Sequence, residues 1–346
     1  MSRKNKLLIV VFIVASFLTF RTIITTSKQF TWKMFVAEIT AANHIWLVLG
    51  FLCSISFIIF EGLALDSIIN GLTGKLSKAG VCYSAADIFF SAITPSSTGG
   101  QPASALLMMK DGISGATTAM ALMINLIIYN LSYFVFGIVA VSIGWSAVSQ
   151  MSILSQIIIV LGCTAILGLA IIMLVSLVRD SILFSLGVKI IDFAHRLKLL
   201  KDKNHWHYKL VDTIRKFRKC LIVLKGNKRL VISAVFFNLL QRFANSMVAV
   251  CCYLGVGGLA TAVGKVWAIQ MISTIGANGI PMPGGIGVAD YLMIDGFDVV
   301  EDIDNVANFE ILTRGISFYS CIFISGVIVV FAYMRRKEEK KNARCL

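Results

Sequence analysis

Charge is scarce in this sequence, and acid is the scarcer sign. Only 14% of the 346 residues are Asp, Glu, Lys or Arg, while 57% are hydrophobic. A chain this apolar can bury its surface only in lipid, which excludes a soluble enzyme. The 18 acids stand against 32 lysines and arginines, a net charge of +14. In a soluble protein that excess would suggest nucleic acid. Here the basic residues gather in loops between apolar runs, so the reading is no nucleic acid and an anionic membrane surface instead. The eight cysteines form no CxxC pair and lie mostly in apolar runs. Neither a metal site nor a disulfide framework is expected, and no cofactor is implied. No Ser-His-Asp arrangement, P-loop or HExxH motif occurs.

Proline is the rarest feature that carries information. All four prolines fall in two short interruptions of apolar stretches. The first runs Thr94-Pro95-Ser96-Ser97-Thr98-Gly99-Gly100-Gln101-Pro102. The second runs Pro281-Met282-Pro283-Gly284-Gly285-Ile286-Gly287. Proline removes a backbone donor and stops a helix. A broken backbone at membrane depth survives only where protein or a water-filled cavity satisfies its polar groups. Paired interruptions in two halves of a chain point to a transporter site.

The apolar pattern predicts spans at about 7–27, 45–66, 114–144, 152–178, 230–256 and 305–333. The stretch starting at Leu7 follows a basic Met1–Lys6 segment with no small-residue cleavage site, and reads as an uncleaved first helix. The broken segments cover 83–112 and 262–296. The expected organisation is a first transmembrane half at 1–178, a basic amphipathic loop at 179–229, and a second half at 230–346 with a short basic tail. Positive residues mark the cytoplasmic side, so both termini and the 179–229 loop should be cytoplasmic. The acidic stretch from Asp295 to Asp304 should lie outside. These constraints hold if both broken segments enter and return on one side. They hold equally if each limb crosses fully, but second limbs of about ten residues are short of the ~20 needed to span. The fold class expected is therefore an all-α polytopic membrane protein, an inverted-repeat-like bundle with two re-entrant Pro/Gly-broken hairpins.

Ser96, Ser97, Thr98, Gly99, Gly100 and Gln101 at the first break, and Gly284, Gly285 and Gly287 at the second, could offer donors to an anionic head group. For one break alone, a structural kink is the competing reading. Arg314 sits about ten residues into the last span, where it could pair with a lipid phosphate or with Asp290. Glu61, Asp87 and Arg242 are further charges within apolar stretches. Snorkelling or internal pairing is the alternative for Glu61 and Arg242. His205-Trp206-His207 lies in the basic loop without a partner at ligand spacing.

The two Pro/Gly signatures, Lys110-Asp111-Gly112 after the first, Asp290 after the second, and Arg314 with Ser317-Phe318-Tyr319 resemble the lysylphosphatidylglycerol synthase transmembrane family. This is the flippase half of the bacterial multiple peptide resistance factor. Asp290 stands where the family usually carries Glu. The resemblance implies a bacterial plasma-membrane protein that moves aminoacylated (lysyl-)phosphatidylglycerol, or a related phospholipid, between leaflets and so contributes to resistance against cationic antimicrobial peptides. The alternative is a phosphatidylglycerol lysyltransferase. That activity needs a soluble transferase domain, for which the residues after the last span leave no room. The implied partners are anionic or aminoacylated phospholipids. A homo-oligomer and a separate lipid aminoacyltransferase stay open.

Overall fold

A computed structural model describes residues 32–74, 76–94, 98–178, 184–185, 187–189, 191–192, 203–279, 287–300, 303 and 305–342. Among them there is helix and no strand. The expected first span at 7–27 lies outside the described residues, as do Ser96, Ser97, Gly284 and Gly285.

The helices are α1 (Trp32–Ala41), α2 (His44–Thr73), α3 (Gly80–Ile93), α4 (Gly100–Lys110), α5 (Gly115–Val148), α6 (Ile153–Val178), α7 (Lys203–Gly226), α8 (Lys228–Gly255), α9 (Val263–Asn278), α10 (Val288–Phe297), α11 (Val306–Arg314) and α12 (Ser320–Asn342). A π-helical turn, Gly315–Tyr319, joins α11 to α12. Polar caps set the starts: Asn43, Ser114, Asn227 and Asn305 each accept an amide of the first turn of α2, α5, α8 and α11. Four stretches are long and apolar enough to cross a bilayer: His44–Thr73, Gly115–Val148, Lys228–Gly255 and Val306–Arg336. Their outward faces stay apolar, with Ile45, Val48, Ile138, Ile143, Ile232 and Phe331 exposed, as a lipid-facing surface requires.

Three boundaries differ from expectation. α2 was expected to end near Asp66 but runs to Thr73. Asp66 is buried and accepts the Gly80 amide at 2.9 Å, so it is held inside the protein and marks no helix end. The stop is Gly74, in the left-handed region at φ 67°. The polar stretch after the first span contains the helix α1. The last span is not uniform, because the π turn follows Arg314 directly.

Contacts define two ends of the bundle. At one, Leu230 of α8 packs on α2 beside Ile68 and Ile69, and Arg336 of α12 meets Asp111 after α4. At the other, the Asn43 amide donates to the Gly255 carbonyl at 2.7 Å, and Phe309 of α11 packs on Tyr253 and Phe297. The first end carries the basic helix α7 and Arg335 and Arg336 of α12; we call it the basic end.

Each broken segment folds back on itself. Tyr83 at the start of α3 donates to Asp111 beyond α4 at 2.8 Å, while Gly100 at the start of α4 rests on Asp87 and Ser91 late in α3. The first hairpin therefore opens at the basic end. In the second, a Cβ on Gly276 late in α9 would meet Leu292 early in α10, and one on Gly296 late in α10 would meet Ile269. Val266, Phe297 and Phe309 pack together at the opposite end. The hairpins thus open at opposite ends of the bundle, and residues beside each break, Thr98 and Gln101 in the first and Asn278 and Gly279 in the second, line one cavity.

Candidate head-group cavity between the hairpins

The cavity holds about 910 Å³. Glu61 of α2, Asp87 of α3, Thr98 and Gln101 at the first break, and Arg314 at the π turn all line it. Five candidate residues, from four helices and the turn at Thr98, therefore share one space. Apolar walls come from Phe57, Ile88, Leu122 and Phe318.

The tip of the first hairpin is built by local bonds. Thr94 closes α3 by donating to the Phe90 carbonyl at 2.6 Å, and it accepts the Gly99 amide at 2.9 Å. That amide is thus already used within the protein. Gly100 is a packing glycine: a Cβ there would lie 2.0 Å from both Asp87 Oδ1 and Ser91 Oγ. Its bareness lets α4 start against the side chain of Asp87. Ser91 in turn donates to Asp87 Oδ1 at 3.1 Å.

Opposite, Arg314 Nε lies 2.6 Å from Asp290 Oδ1 and 3.9 Å from Glu310. The first contact is an ion pair off the axis of a hydrogen bond, and Arg314 Nη2 has no hydrogen-bond partner. Arg314 also sits over the Phe318 ring, 4.6 Å from its centroid. Asp290 is doubly committed, since it accepts the Gly287 amide at 2.8 Å and so caps α10. Gly287 itself adopts φ 84° with open space where a Cβ would go.

Arg242 does not line this cavity. It is buried behind the wall, its guanidinium 4.0 and 4.3 Å from the Tyr129 and Tyr133 centroids. Stacking of this kind contributes about 2 kcal/mol when desolvated. Beside it, Gln241 donates to Glu61 at 3.0 Å. Arg242 is therefore held inside by the tyrosine rings rather than snorkelling, and its Nε and Nη2 have no hydrogen-bond partner.

Sequence reasoning missed the polar uncharged wall. Asn125, Tyr129 and Tyr133 line the cavity from α5, and Gln270 and Thr274 from α9. The signal was present: positions 125, 129 and 133 recur one turn apart and share a helix face. Glu310, 4% exposed against Arg314, was missed as well. Chemically, the cavity offers one unspent guanidinium nitrogen, two carboxylates and a ring of amides and hydroxyls. It suits a ligand with both an anionic and a cationic group.

Comparison with protein families matches residues 6–326 to one described as the lysylphosphatidylglycerol synthase TM region. Comparisons with curated proteins and with solved structures found no match.

Proposed function

The chain belongs to the lysylphosphatidylglycerol synthase transmembrane family, and from that premise we propose that it moves phospholipid head groups, aminoacylated phosphatidylglycerol first among them, between the leaflets of a bacterial plasma membrane. The observation that carries the reading is the cavity between the two hairpins, with Arg314, Glu61 and Asp87 all on its wall. The limbs of the hairpins, 14 and 11 residues in the first and 16 and 10 in the second, are short of the ~20 residues of a span. We read them as re-entrant, the first from the basic, cytoplasmic end and the second from outside. The head group travels through the cavity while its acyl chains stay in lipid.

Arg314 Nη2 takes the phosphate, aided by Thr98 and Gln101. An unpaired charge at the bilayer centre costs at least ~2.5–3.5 kcal/mol on the insertion scale. Groups of both signs along the path lower that barrier. Returning a cationic lipid to the outer leaflet would reduce the negative surface that cationic antimicrobial peptides seek, which ties this activity to peptide resistance.

The test is a leaflet-resolved assay in liposomes carrying the purified chain and labelled lysylphosphatidylglycerol. Protein-dependent exchange between leaflets is expected. No exchange above protein-free liposomes overturns the reading. Incubation with lysyl-tRNA and phosphatidylglycerol is expected to give no lysyl lipid; product would favour the lysyltransferase alternative.

A further inference from the structure

The charges around the cavity do not balance. Among the described residues, Glu61, Asp87, Asp290 and Glu310 stand in or directly behind its wall, against Arg242 and Arg314. Four acids less two arginines leave an excess of two negative charges. Asp290 and Glu310 are both spent on Arg314, one of them also on the cap of α10. Two acids share Arg314, and Glu61 and Asp87 have only Arg242 nearby, so one excess negative charge falls on each group. Glu61 is held by the Gln241 amide and Asp87 by the Ser91 hydroxyl. These are neutral donors and cancel no charge. Arg242 lies within electrostatic range of Glu61, but its guanidinium is stacked on Tyr129 and Tyr133. Across the same space, Arg314 presents a buried nitrogen without a partner.

We propose that Glu61 and Asp87 form a cation subsite that holds either the ammonium of the cargo head group or protons, so that amine-bearing phospholipid and protons are carried in exchange. This deepens the transport reading and rests on it. With cargo bound, an ammonium sits at the carboxylates and the phosphate at Arg314. When the ammonium leaves to water, each carboxylate that loses a cation takes up one proton, because a buried carboxylate without a partner neutralises rather than stay charged. The empty cavity can then turn toward the other face without carrying that negative charge through lipid. The next ammonium displaces the proton to the opposite side. One proton thus moves against each ammonium; because the phosphate travels with the lipid, each cycle also carries one net negative charge in the lipid's direction.

The other titratable and charged groups facing the pair are accounted for. Tyr129 and Tyr133 come from α5, Arg242 from α8, Cys321 from α12, and Arg314 with Tyr319 from the π turn and its approach. Both arginines stay charged at any working pH. Asp290 and Glu310 face Arg314 instead. Proton exchange is assigned to Glu61 and Asp87 because both line the cavity, whereas Asp290 and Glu310 sit against Arg314.

Liposomes with the full chain and labelled lysylphosphatidylglycerol are given a pH difference of about one unit, with the membrane potential clamped at zero. Exchange drives the amine lipid toward the leaflet on the acid side, by up to about tenfold for each proton exchanged. Reversing the gradient should reverse the accumulation, and an ionophore that collapses it should abolish the bias. Phosphatidylglycerol, without an ammonium, should show none. Asp87→Asn, and Glu61→Gln with Asp87→Asn, should lose the response to the gradient. If the unmodified chain moves the amine lipid but distributes it equally with or without the gradient, this inference is wrong and the transport reading stands. If it moves no lipid, both fall.

Discussion

On the transport reading proposed above, one buried side chain, Arg314, serves structure and cargo together. Its Nε side faces Asp290 and Glu310, which would repel each other without it. Its Nη2 has no hydrogen-bond partner in the protein. Arg314→Ala is therefore expected to reduce lipid exchange to the protein-free background and to destabilise the protein, on the order of 3 kcal/mol for one broken buried pair. Thermal unfolding in detergent checks the second effect. Adding Glu310→Gln to that variant should recover part of the stability, by removing one of two uncompensated acids, while exchange stays lost. Arg314→Lys should retain more of both, since it keeps the charge but loses the planar fork. If Arg314→Ala folds and exchanges lipid at the parent rate, the phosphate site lies elsewhere.

At the scale of elements, glycines set how closely helices cross. α6 and α9 meet through three of them: a Cβ on Gly162 would lie 2.5 Å from Gly276 Cα, and one on Gly279 would lie 2.3 Å from Gly162 Cα. Backbone lies against backbone, so no side chain can yield. Gly162→Leu should force α6 off α9 and destabilise by about 1–3 kcal/mol or more. Gly168→Leu, on the same helix but with open space at its Cβ, should be near neutral; thermal midpoints of the two variants decide it. A second link ties the first hairpin to α12. Partial burial of Asp111 works against its charge, but the Arg336 hydrogen bonds, the Tyr83 hydroxyl and the Arg336 charge outweigh it and hold the carboxyl below the usual range. The folded value thus lies below the unfolded one. The link stabilises in full above the ordinary carboxylate value of ~3.9 and is lost as pH falls through the depressed value. Unfolding midpoints should drop on acidification below about pH 4, and Asp111→Asn should flatten that drop while lowering the midpoint at pH 7. Of these elements, the long spans and both breaks were legible in the sequence, because uninterrupted apolar length and proline are one-dimensional signals. So were Glu61, Asp87 and Arg314, as charges in apolar surroundings. The π turn after Arg314 and the burial of Asp66 were not, since each depends on which neighbour arrives: the Ile316 carbonyl is taken by Ser54 of α2 at 2.5 Å, and the Asp66 carboxylate by Gly80. Arg242 looked like a candidate for either role until the tyrosines of α5 enclosed it.

For the whole molecule, the consequence of two opposed hairpins is a testable sidedness. Lys78 before the first hairpin and Gly112 after it are both exposed at the basic end. Gly257 before the second and Asp298 after it are exposed at the other. A helix pair that crossed fully would separate the members of each couple, because one limb would carry the chain to the far side. Here Tyr83 and Asp111 bond across the mouth of the first hairpin, and Phe297 packs in one cluster with Val266 at the mouth of the second. The basic residues of α7 and of the tail lie at the first mouth, so that mouth should face the cytoplasm. Single cysteines at 78, 112, 257 and 298, in a background freed of the native thiols, would be probed in intact cells with a membrane-impermeant thiol reagent. Positions 257 and 298 should label from outside, and 78 and 112 only after the membrane is opened. Labelling of 78 and 112 from opposite faces would remove the first hairpin from the membrane topology we propose. It would also remove the reason for its tip to meet the second at Arg314, because the shared cavity requires the two chains of backbone to turn back at the same depth from opposite sides.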